Sequence, residues 1–196
     1  MVAKQRKPFV LNLFLIIVLL GMIFGIIPAQ ATGALFASNS IEPVPLPLPV
    51  GWIEASLVDV WGSSARDVYA VGYGRQGDMP RVPLVYHNDG AVWTEASPSL
   101  PAGWNYAQLY GVWGSSAGNV FAVGEGSGIT VPGAPLLYYN NGKSWTHIPL
   151  SLPVGWSYGS LSGVWGSSAN DIYAVGWGKD ATGVNTSLLY HSDGTT

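Results

Sequence analysis

The residues able to do acid–base, metal or nucleophilic chemistry are few and do not form a set. The chain has three histidines, His87, His147 and His191, and no cysteine. The histidine spacing does not match a zinc site, and a chain without thiols has no disulfide and no cysteine nucleophile. It also has no Gly-x-Ser-x-Gly elbow and no Asp-x-Asp-x-Asp calcium array. We therefore predict that the chain is not an enzyme and has no catalytic residue, metal or cofactor.

A second group of residues is suited to ligand binding. Aromatic faces give a large contact area at low entropic cost, and charged groups add directional hydrogen bonds. The predicted ligand-binding residues are Trp52, Trp104, Trp156, Tyr73, Arg75, Arg81, Glu125, Trp177 and Lys179, with Asp78 and Asp180 beside them. The three tryptophans at positions 52, 104 and 156 have an alternative role, which is to fill the contact between repeat units.

An internal repeat positions these residues. The string Val-Trp-Gly-Ser-Ser-Ala occurs at Val60–Ala65, Val112–Ala117 and Val164–Ala169, so the period is 52 residues. Gly-Trp, Tyr/Phe-Ala-Val-Gly and Leu-Val/Leu-Tyr elements keep the same period without a gap. Such a period indicates a duplicated supersecondary unit. We predict that the tryptophan of each string packs between units, with Val112 and Trp113 among the best protected residues.

Each unit is predicted to form four short antiparallel strands. In the middle copy the strands are expected near Tyr110–Trp113, Val120–Gly124, Pro135–Tyr139 and Ser144–Ile148, which are rich in Val, Tyr and Trp and bounded by turn residues. The Asn-Gly or Asp-Gly pair after each third strand predicts a type I′ hairpin. Four strands in about 52 residues are typical of a β-propeller blade. The predicted fold class is all-β: a propeller-type array of three blades, partial or completed by oligomerisation, after an N-terminal apolar helix.

The segment between the second and third strands differs strongly among the copies. It covers Tyr73–Val82, Glu125–Ala134 and Trp177–Thr186. In an up-and-down blade this connection lies at the same end as the connection between blades. Variable loops on a repeated scaffold are the usual place of recognition, although relaxed constraint is an equally good reason for divergence. This segment is therefore the source of most of the predicted ligand-binding residues.

The N-terminal residues 1–31 are predicted to be a signal peptide. Three cations precede the apolar run Phe9–Ile27, and Ala29–Ala31 then supplies the small-x-small pattern of a cleavage site. The run is also long enough to be an uncleaved membrane anchor. Both interpretations place the body of the chain outside the cytoplasmic membrane, as a secreted or cell-surface protein whose only membrane contact is the leader.

Charge argues against nucleic acid as a partner. Three of the eight Lys and Arg residues lie in the leader, so the body has five cations against eleven Asp and Glu. Phosphate backbones are bound by clustered Lys and Arg, which this body lacks. The expected partner is a glycan or a protein ligand.

The repeated residues resemble those of bacterial extracellular propellers. The pattern is Val-Trp-Gly-Ser-Ser-Ala-x-Asp-Val-Tyr-Ala-Val-Gly, followed by Leu-x-Tyr-x-x-Asp-Gly-x-x-Trp. It is similar to the repeats grouped with BNR/Asp-box and sialidase-like folds, and more distantly to tectonin-type lectins. The resemblance covers Gly51–Thr196, but it departs from the Asp-box because Asp89 and Gly90 are adjacent. It implies a propeller that is either a non-catalytic binding or scaffold module or a fragment of a sialidase-like glycoside hydrolase.

Arginine placement favours the binding module over the hydrolase. The resemblance implies that a sialidase-like site would need an arginine cluster, a tyrosine nucleophile with an acidic partner, and an acid/base aspartate. The body has only Arg66, Arg75 and Arg81, all from the first copy. Arg66 is expected at the opposite end of the blade from the other two, so these arginines do not assemble one site.

The repeat period also defines the expected domains and a closure problem. The segments are 1–31 (leader), 32–50 (Pro-rich lead-in), 51–102, 103–154 and 155–196, the last an incomplete blade. Ser38–Val44 lies where a fourth strand would precede the first blade, so it is a candidate closing strand beside Leu188–Tyr190. Complete propellers usually have four to eight blades. Two explanations stay open: a longer chain supplies further blades, or copies assemble into a homo-oligomer.

Overall fold

The described part of the chain is all β. The computed structural model describes residues 41–195, in which no helix occurs. This part accordingly contains no helix that is long and apolar enough to span a membrane. The predicted leader, including its apolar helix, lies outside the described residues.

Eleven strands form three antiparallel sheets within residues 41–195, one for each copy of the repeat. Sheet 1 consists of β1 (Trp52–Ser64), β2 (Asp67–Gln76), β3 (Val82–Asn88) and β4 (Trp93–Glu95). Sheet 2 consists of β5 (Tyr106–Ser116), β6 (Asn119–Ser127), β7 (Ala134–Asn140) and β8 (Trp145–His147). Sheet 3 consists of β9 (Tyr158–Ser168), β10 (Asp171–Lys179) and β11 (Asn185–Ser192). Strands consecutive in the chain are neighbours in each sheet, so the predicted all-β, propeller-type array is confirmed.

The first strand of each sheet is longer than predicted. β5 has 11 residues, whereas the sequence predicted only Tyr110–Trp113. A bulge between Leu109 and Gly111 lets the strand bend and continue. Close by, a Cβ on Gly124 would collide with the carbonyl oxygen of Gln108, so only glycine permits this approach of β5 and β6.

The hairpins between third and fourth strands are not the predicted type I′ turns. That type needs a positive φ at both central residues, and among the described residues only glycines have one. In sheet 1, the Asp89 amide bonds to the carbonyl oxygen of Val92, and the Asp89 carboxylate accepts hydrogen bonds from the amides of Ala91 and Val92. The Asp-Gly pair therefore predicted the position of a hairpin correctly. The backbone of Asp89 is not left-handed, however, and its side chain instead caps a longer turn.

Consecutive sheets pack face to face. β5 packs against β1 and β2, and β9 packs against β5 and β6. The contact between sheets 1 and 2 buries Val71, Val85 and Leu109 completely, and the contact between sheets 2 and 3 buries Val123 and Leu161 completely. Each of these two contacts is termed a seam. Because burial of apolar surface is the main driving force of folding, the seams are the cores of this protein.

A tryptophan of one first strand lies on a glycine of the next at each seam. A Cβ built on Gly114 would lie 2.6 Å from the Trp61 ring, and one on Gly166 would lie 2.7 Å from the Trp113 ring. The indole therefore occupies the space that any other side chain would need. The predicted packing of these tryptophans between repeat units is confirmed at both seams.

We expected all three Val-Trp-Gly strings to lie on interior first strands, with Val112 and Trp113 among the best protected residues. This prediction is confirmed for Val112 but is wrong for Trp113 and for the strings of the two outer sheets. Val112 is buried, but Val60 and Trp165 are exposed, and Trp113 is half-buried. Val60 lies on the outer face of sheet 1 and Trp165 on the outer face of sheet 3. No further sheet of the described residues covers these two faces, although the local sequence is the same.

The linker that leads into each sheet packs on that sheet. A tyrosine hydroxyl of each third strand donates a hydrogen bond to a linker carbonyl oxygen. The pairs are Tyr86 with Pro47, Tyr138 with Ser99, and Tyr190 with Ser151. Residues 41–49 form no strand, and the remainder of the predicted closing strand Ser38–Val44 lies outside the described residues.

Trp113→Ala is expected to lower the free energy of unfolding by roughly 2–3 kcal/mol, because it empties the space over Gly166 but removes a ring that is only half-buried. Val92→Ala, at an exposed hairpin position, should cost less than about 0.5 kcal/mol. Denaturant melts of both variants measure the difference. Equal costs would show that the seam does not depend on this indole.

Candidate functional site

The two ends of the sheets carry different connections. The loops between second and third strands lie at one end together with the linkers that lead into each sheet, and this end is termed the loop end. The turns between first and second strands and the hairpins after third strands lie at the other end, termed the corner end. The predicted sharing of one end by variable segments and linkers is confirmed.

Glu54 organises the charged residues of sheet 1 at the loop end. Its carboxylate accepts a hydrogen bond from Nε of Arg75 at 2.7 Å and forms an ion pair with Arg81. The hydrogen bond from Arg75 is the main cause that lowers the pKa of Glu54. The Arg81 guanidinium also lies 4.7 Å from the centre of the Tyr73 ring, in a cation–π contact. Two cations on one carboxylate leave this cluster net positive.

Glu125 is the centre of a second cluster. Its Oε1 accepts hydrogen bonds from the hydroxyls of Tyr106 at 3.2 Å and Tyr110 at 3.0 Å. Its Oε2 accepts one from Tyr158, which belongs to the next sheet. One carboxylate thus connects sheets 2 and 3 and is held in place by three phenol donors.

Gln108 lies beside this cluster and is buried. Its Oε1 is 2.6 Å from the Tyr110 hydroxyl, and its Nε2 has no partner among the described residues. A hydroxyl has one hydrogen, so Tyr110 donates either to Gln108 or to Glu125. Turning the amide over lets Gln108 donate to Tyr110 and Tyr110 donate to Glu125, so that the three side chains act as one chain of hydrogen bonds.

The tyrosines around Glu125 hold their protons strongly. Burial is the main cause that raises the pKa of Tyr106, Tyr110 and Tyr158 above the usual 10.0, and the nearby Glu125 carboxylate raises it further. These hydroxyls are therefore neutral hydrogen-bonding groups at physiological pH. Activation of one of them as a nucleophile would require the Glu125 carboxylate to take its proton.

Trp177 holds in sheet 3 the position that Tyr73 holds in sheet 1 and Glu125 in sheet 2. Its indole is exposed, and its ring centre lies 4.9 Å from that of Tyr158 with the planes 39° apart. Tyr158 therefore touches both Trp177 and Glu125. An exposed indole next to hydrogen-bonding groups is able to stack on an apolar face while its neighbours bind hydroxyls.

Three tryptophans lie at the border of this surface, one at the start of β1 and two in the linkers that precede β5 and β9. Each indole is half-buried and covers a glycine of the second strand in its own sheet. The pairs are Trp52 with Gly74, Trp104 with Gly126, and Trp156 with Gly178. Trp104 and Trp156 also pack against the apolar clusters of the two seams, in agreement with the alternative role as seam filling.

The remaining candidate residues have separate places at the loop end. Lys179 is exposed at the end of β10, and Asp78 is exposed in the loop between β2 and β3. The Asp180 carboxylate accepts hydrogen bonds from the amides of Thr182 at 2.8 Å and Val184 at 3.0 Å. Asp180 therefore holds the shape of the loop between β10 and β11.

At the corner end, one side-chain pair in each sheet connects the turn to the third strand. These pairs are His87 with Asp67 at 2.8 Å, Tyr139 with Asn119 at 2.9 Å, and His191 with Asp171 at 2.9 Å. An imidazole stands opposite a carboxylate and a phenol opposite an amide, so each pair is matched in hydrogen bonding. Residues 41–195 contain no group of three or more side chains able to hold a metal ion.

A groove also opens at each seam near the corner end. The groove between sheets 1 and 2 has a volume of about 420 Å³ and the one between sheets 2 and 3 about 520 Å³. Aromatic packing groups and polar side chains both line these grooves. In the first groove, Trp145 meets Tyr69 edge-on at 5.9 Å, and Lys143 also lines the wall. The corner-end pairs change only between His–Asp and Tyr–Asn, whereas the loop end changes from Tyr73 to Glu125 to Trp177, so the loop end is the candidate site.

Sequence reasoning missed four residues that organise this site. They lie on first strands, outside the variable loops, and are Glu54, Tyr106, Tyr110 and Tyr158. Positions 54, 106 and 158 are one period apart and hold Glu, Tyr and Tyr. The change of residue type at these equivalent positions is the sequence signal that identifies Glu54, Tyr106 and Tyr158.

Comparisons with known proteins found a similarity to solved structures but none to a sequence family. No family model matches the sequence, and no curated protein matches it. Among solved structures, the chain is similar to a fucose lectin from Kordia zhangzhouensis in complex with methyl-fucoside. The two are 14% identical with a TM-score of 0.45, and the match covers 67% of this chain and 90% of that chain.

The raised tyrosine pKa values predict a loss of stability in alkali. Above pH 10.0 the unfolded tyrosines ionise first, so the folded state binds more protons and the free energy of unfolding falls as the pH rises. Glu125→Gln removes a charge that raises these pKa values and should make the fall smaller. Denaturant midpoints measured across this pH range test the effect. Asp78→Asn, the same charge change on an exposed loop residue, should leave the fall unchanged, and an unchanged fall in Glu125→Gln would contradict the assignment.

Proposed function

We propose that this chain is a non-catalytic carbohydrate-binding module that acts outside the cytoplasmic membrane and binds its glycan at the loop end. One observation carries the proposal. The exposed Trp177 indole, the Glu125–tyrosine cluster and the Glu54–arginine cluster lie at the same end of three consecutive sheets. They occupy equivalent positions of a repeat but differ in chemistry, as expected where a scaffold is kept and a binding surface is varied.

The chemistry of these groups suits a polyol. A sugar ring has an apolar face, which the Trp177 indole is able to cover, and hydroxyls that both donate and accept hydrogen bonds. Arg75 and Arg81 supply donors, and Glu54 and Glu125 supply acceptors. Both arginines are paired with Glu54, which fixes the direction of their N–H groups. They are therefore suited to donating hydrogen bonds to hydroxyls rather than to binding a separate anion.

A glycoside hydrolase of sialidase-like type is the second candidate, and the tyrosines bonded to Glu125 are the observation in its favour. Two features oppose it. Those tyrosines have raised pKa values and make weak nucleophiles. Arg66 precedes β2 and Arg75 lies near its end, so the two are separated by roughly 30 Å at the rise of an extended strand.

A protein ligand is a third candidate, favoured by the tips of the linkers and loops. Val50, Ile129 and Val154 are fully or almost fully exposed at the loop end. Apolar tips of this kind are common in protein interfaces, where the centre of the contact excludes water. They surround the polar clusters and do not belong to them.

A glycan array probed with the full chain is the test of the proposal, followed by affinity measurements on the best glycan. Trp177→Ala should weaken binding about tenfold or more, equivalent to about 1.4 kcal/mol. Trp93→Ala is the matched control, because Trp93 is a half-buried tryptophan of β4 near the corner end. It should leave glycan affinity unchanged.

Three results would contradict the proposal. Equal loss in the two tryptophan variants would show that the loop end is not the site. Turnover of a fluorogenic sialoside, abolished by Glu125→Gln, would establish the hydrolase. Glycan binding lost in Val50→Ser/Val154→Ser but kept in Trp177→Ala would move recognition from the polar clusters to the apolar tips.

A further inference from the structure

We propose that the outer face of sheet 3 docks on the outer face of sheet 1 of a second copy of this chain, in the same way that consecutive sheets meet at the two seams. The seams show which residues such a contact needs. Each of those residues has a counterpart, one or two periods away, that is exposed on one of the two outer faces.

Sheet 3 presents the covering half of a seam. Trp165, Val175 and Leu189 are 57%, 47% and 61% exposed. The same positions in sheet 1 are Trp61, which lies on Gly114, and Val71 and Val85, which are 0% exposed. β10 pairs Val175 with Leu189, so the exposed apolar groups share one face.

Sheet 1 presents the receiving half. Leu57 and Val60 are 42% and 61% exposed, whereas their counterparts Leu109 and Val112 in sheet 2 are 0% and 5% exposed. Gly62 is also exposed, and its counterparts Gly114 and Gly166 are the two glycines covered by indoles. Sheet 1 therefore holds an uncovered glycine of the type on which Trp165 would lie.

The backbone repeats the same arrangement. At the two seams, the amide of Ala107 donates to the carbonyl oxygen of Arg81 at 3.0 Å, and the amide of Gly159 donates to that of Gly133 at 3.2 Å. One period before Ala107 lies Ala55, and one period after Gly133 lies Asn185. Ala55 of one copy and Asn185 of the other would make the third bond of this series.

The linker of sheet 1 is already in the position that a seam requires. The Tyr86 hydroxyl bonds to Pro47, as Tyr138 bonds to Ser99 where sheet 2 receives sheet 1. Sheet 1 therefore has the arrangement of a receiving sheet. A second copy of this chain is the occupant that matches it, because it carries Trp165, Val175 and Leu189 in the required register.

The contact is heterologous, since the two faces differ, and such contacts form a ring when the rotation closes. Residues 41–195 of two copies supply six sheets, which lies within the four to eight blades of closed propellers. A two-chain ring would use both outer faces of each copy. It would remove the exposed apolar surface, which in a lone copy favours association.

Engineered cysteines test the contact directly, because the chain has no cysteine of its own. At the seams, the counterparts of Leu57 and Val175 belong to the same apolar clusters. The full chain carrying Leu57→Cys/Val175→Cys should form a disulfide-linked dimer under mild oxidation, seen on a non-reducing denaturing gel. The matched control is Leu57→Cys/Val92→Cys, since Val92 is equally exposed but lies in a hairpin at the corner end.

The gel distinguishes the outcomes. A dimer in the test variant at several times the level of the control supports the proposal. An intrachain disulfide would show that sheet 3 closes on sheet 1 of its own chain, and equal crosslinking in both variants would show random collision. Either of these results overturns the proposal.

A charge variant provides an independent measurement. Val175→Lys/Leu189→Lys places two cations on the exposed face of sheet 3, where the two side chains are 47% and 61% exposed and belong to neither seam cluster. Light scattering of the full chain should show the mass falling from two copies to one, with an unchanged β-sheet circular dichroism spectrum. Val92→Lys should leave the mass unchanged. A wild-type chain that is monomeric at micromolar concentration would overturn the proposal.

Discussion

The indole of Trp61 lies over the missing side chain of Gly114, and the indole of Trp113 lies over that of Gly166. These two contacts set the distance between consecutive sheets. A larger residue at either glycine would move the first strands apart and open the apolar clusters that contain Leu109 and Leu161. The candidate site depends on the same distance, because Glu125 of sheet 2 holds the hydroxyl of Tyr158 in sheet 3.

Repeated and divergent side-chain chemistry lie at opposite ends of the sheets. At the corner end, each sheet keeps a matched pair between the turn and the third strand, whether His–Asp or Tyr–Asn. At the loop end, equivalent positions carry Tyr73, Glu125 and Trp177, which are a phenol, a carboxylate and an indole. The scaffold is therefore able to keep its packing while the loop end changes, which is how one fold supports many ligands.

Both seams are built from the same repeat positions. The outer faces of sheets 1 and 3 carry these positions too, but no other sheet of the described residues covers them. Trp165 and Gly62 have the residue types of a buried pair, yet both are exposed. An apolar surface of this kind is energetically costly in water unless another surface covers it. The proposed association would therefore use the same repeat positions that pack the two seams within one chain.

The sequence by itself determined the features that depend on local pattern: the 52-residue period, the all-β class, the loop end as the variable end, and the tryptophan between units. Only the tertiary structure decided which strings are interior, because Val60 and Val112 begin the same Val-Trp-Gly-Ser-Ser-Ala string but have different neighbours in space. It also brought Glu125 and Tyr158, on different sheets, into one cluster. A contact between two sheets depends on the distance between them and on which faces they turn toward each other. The local sequence specifies neither.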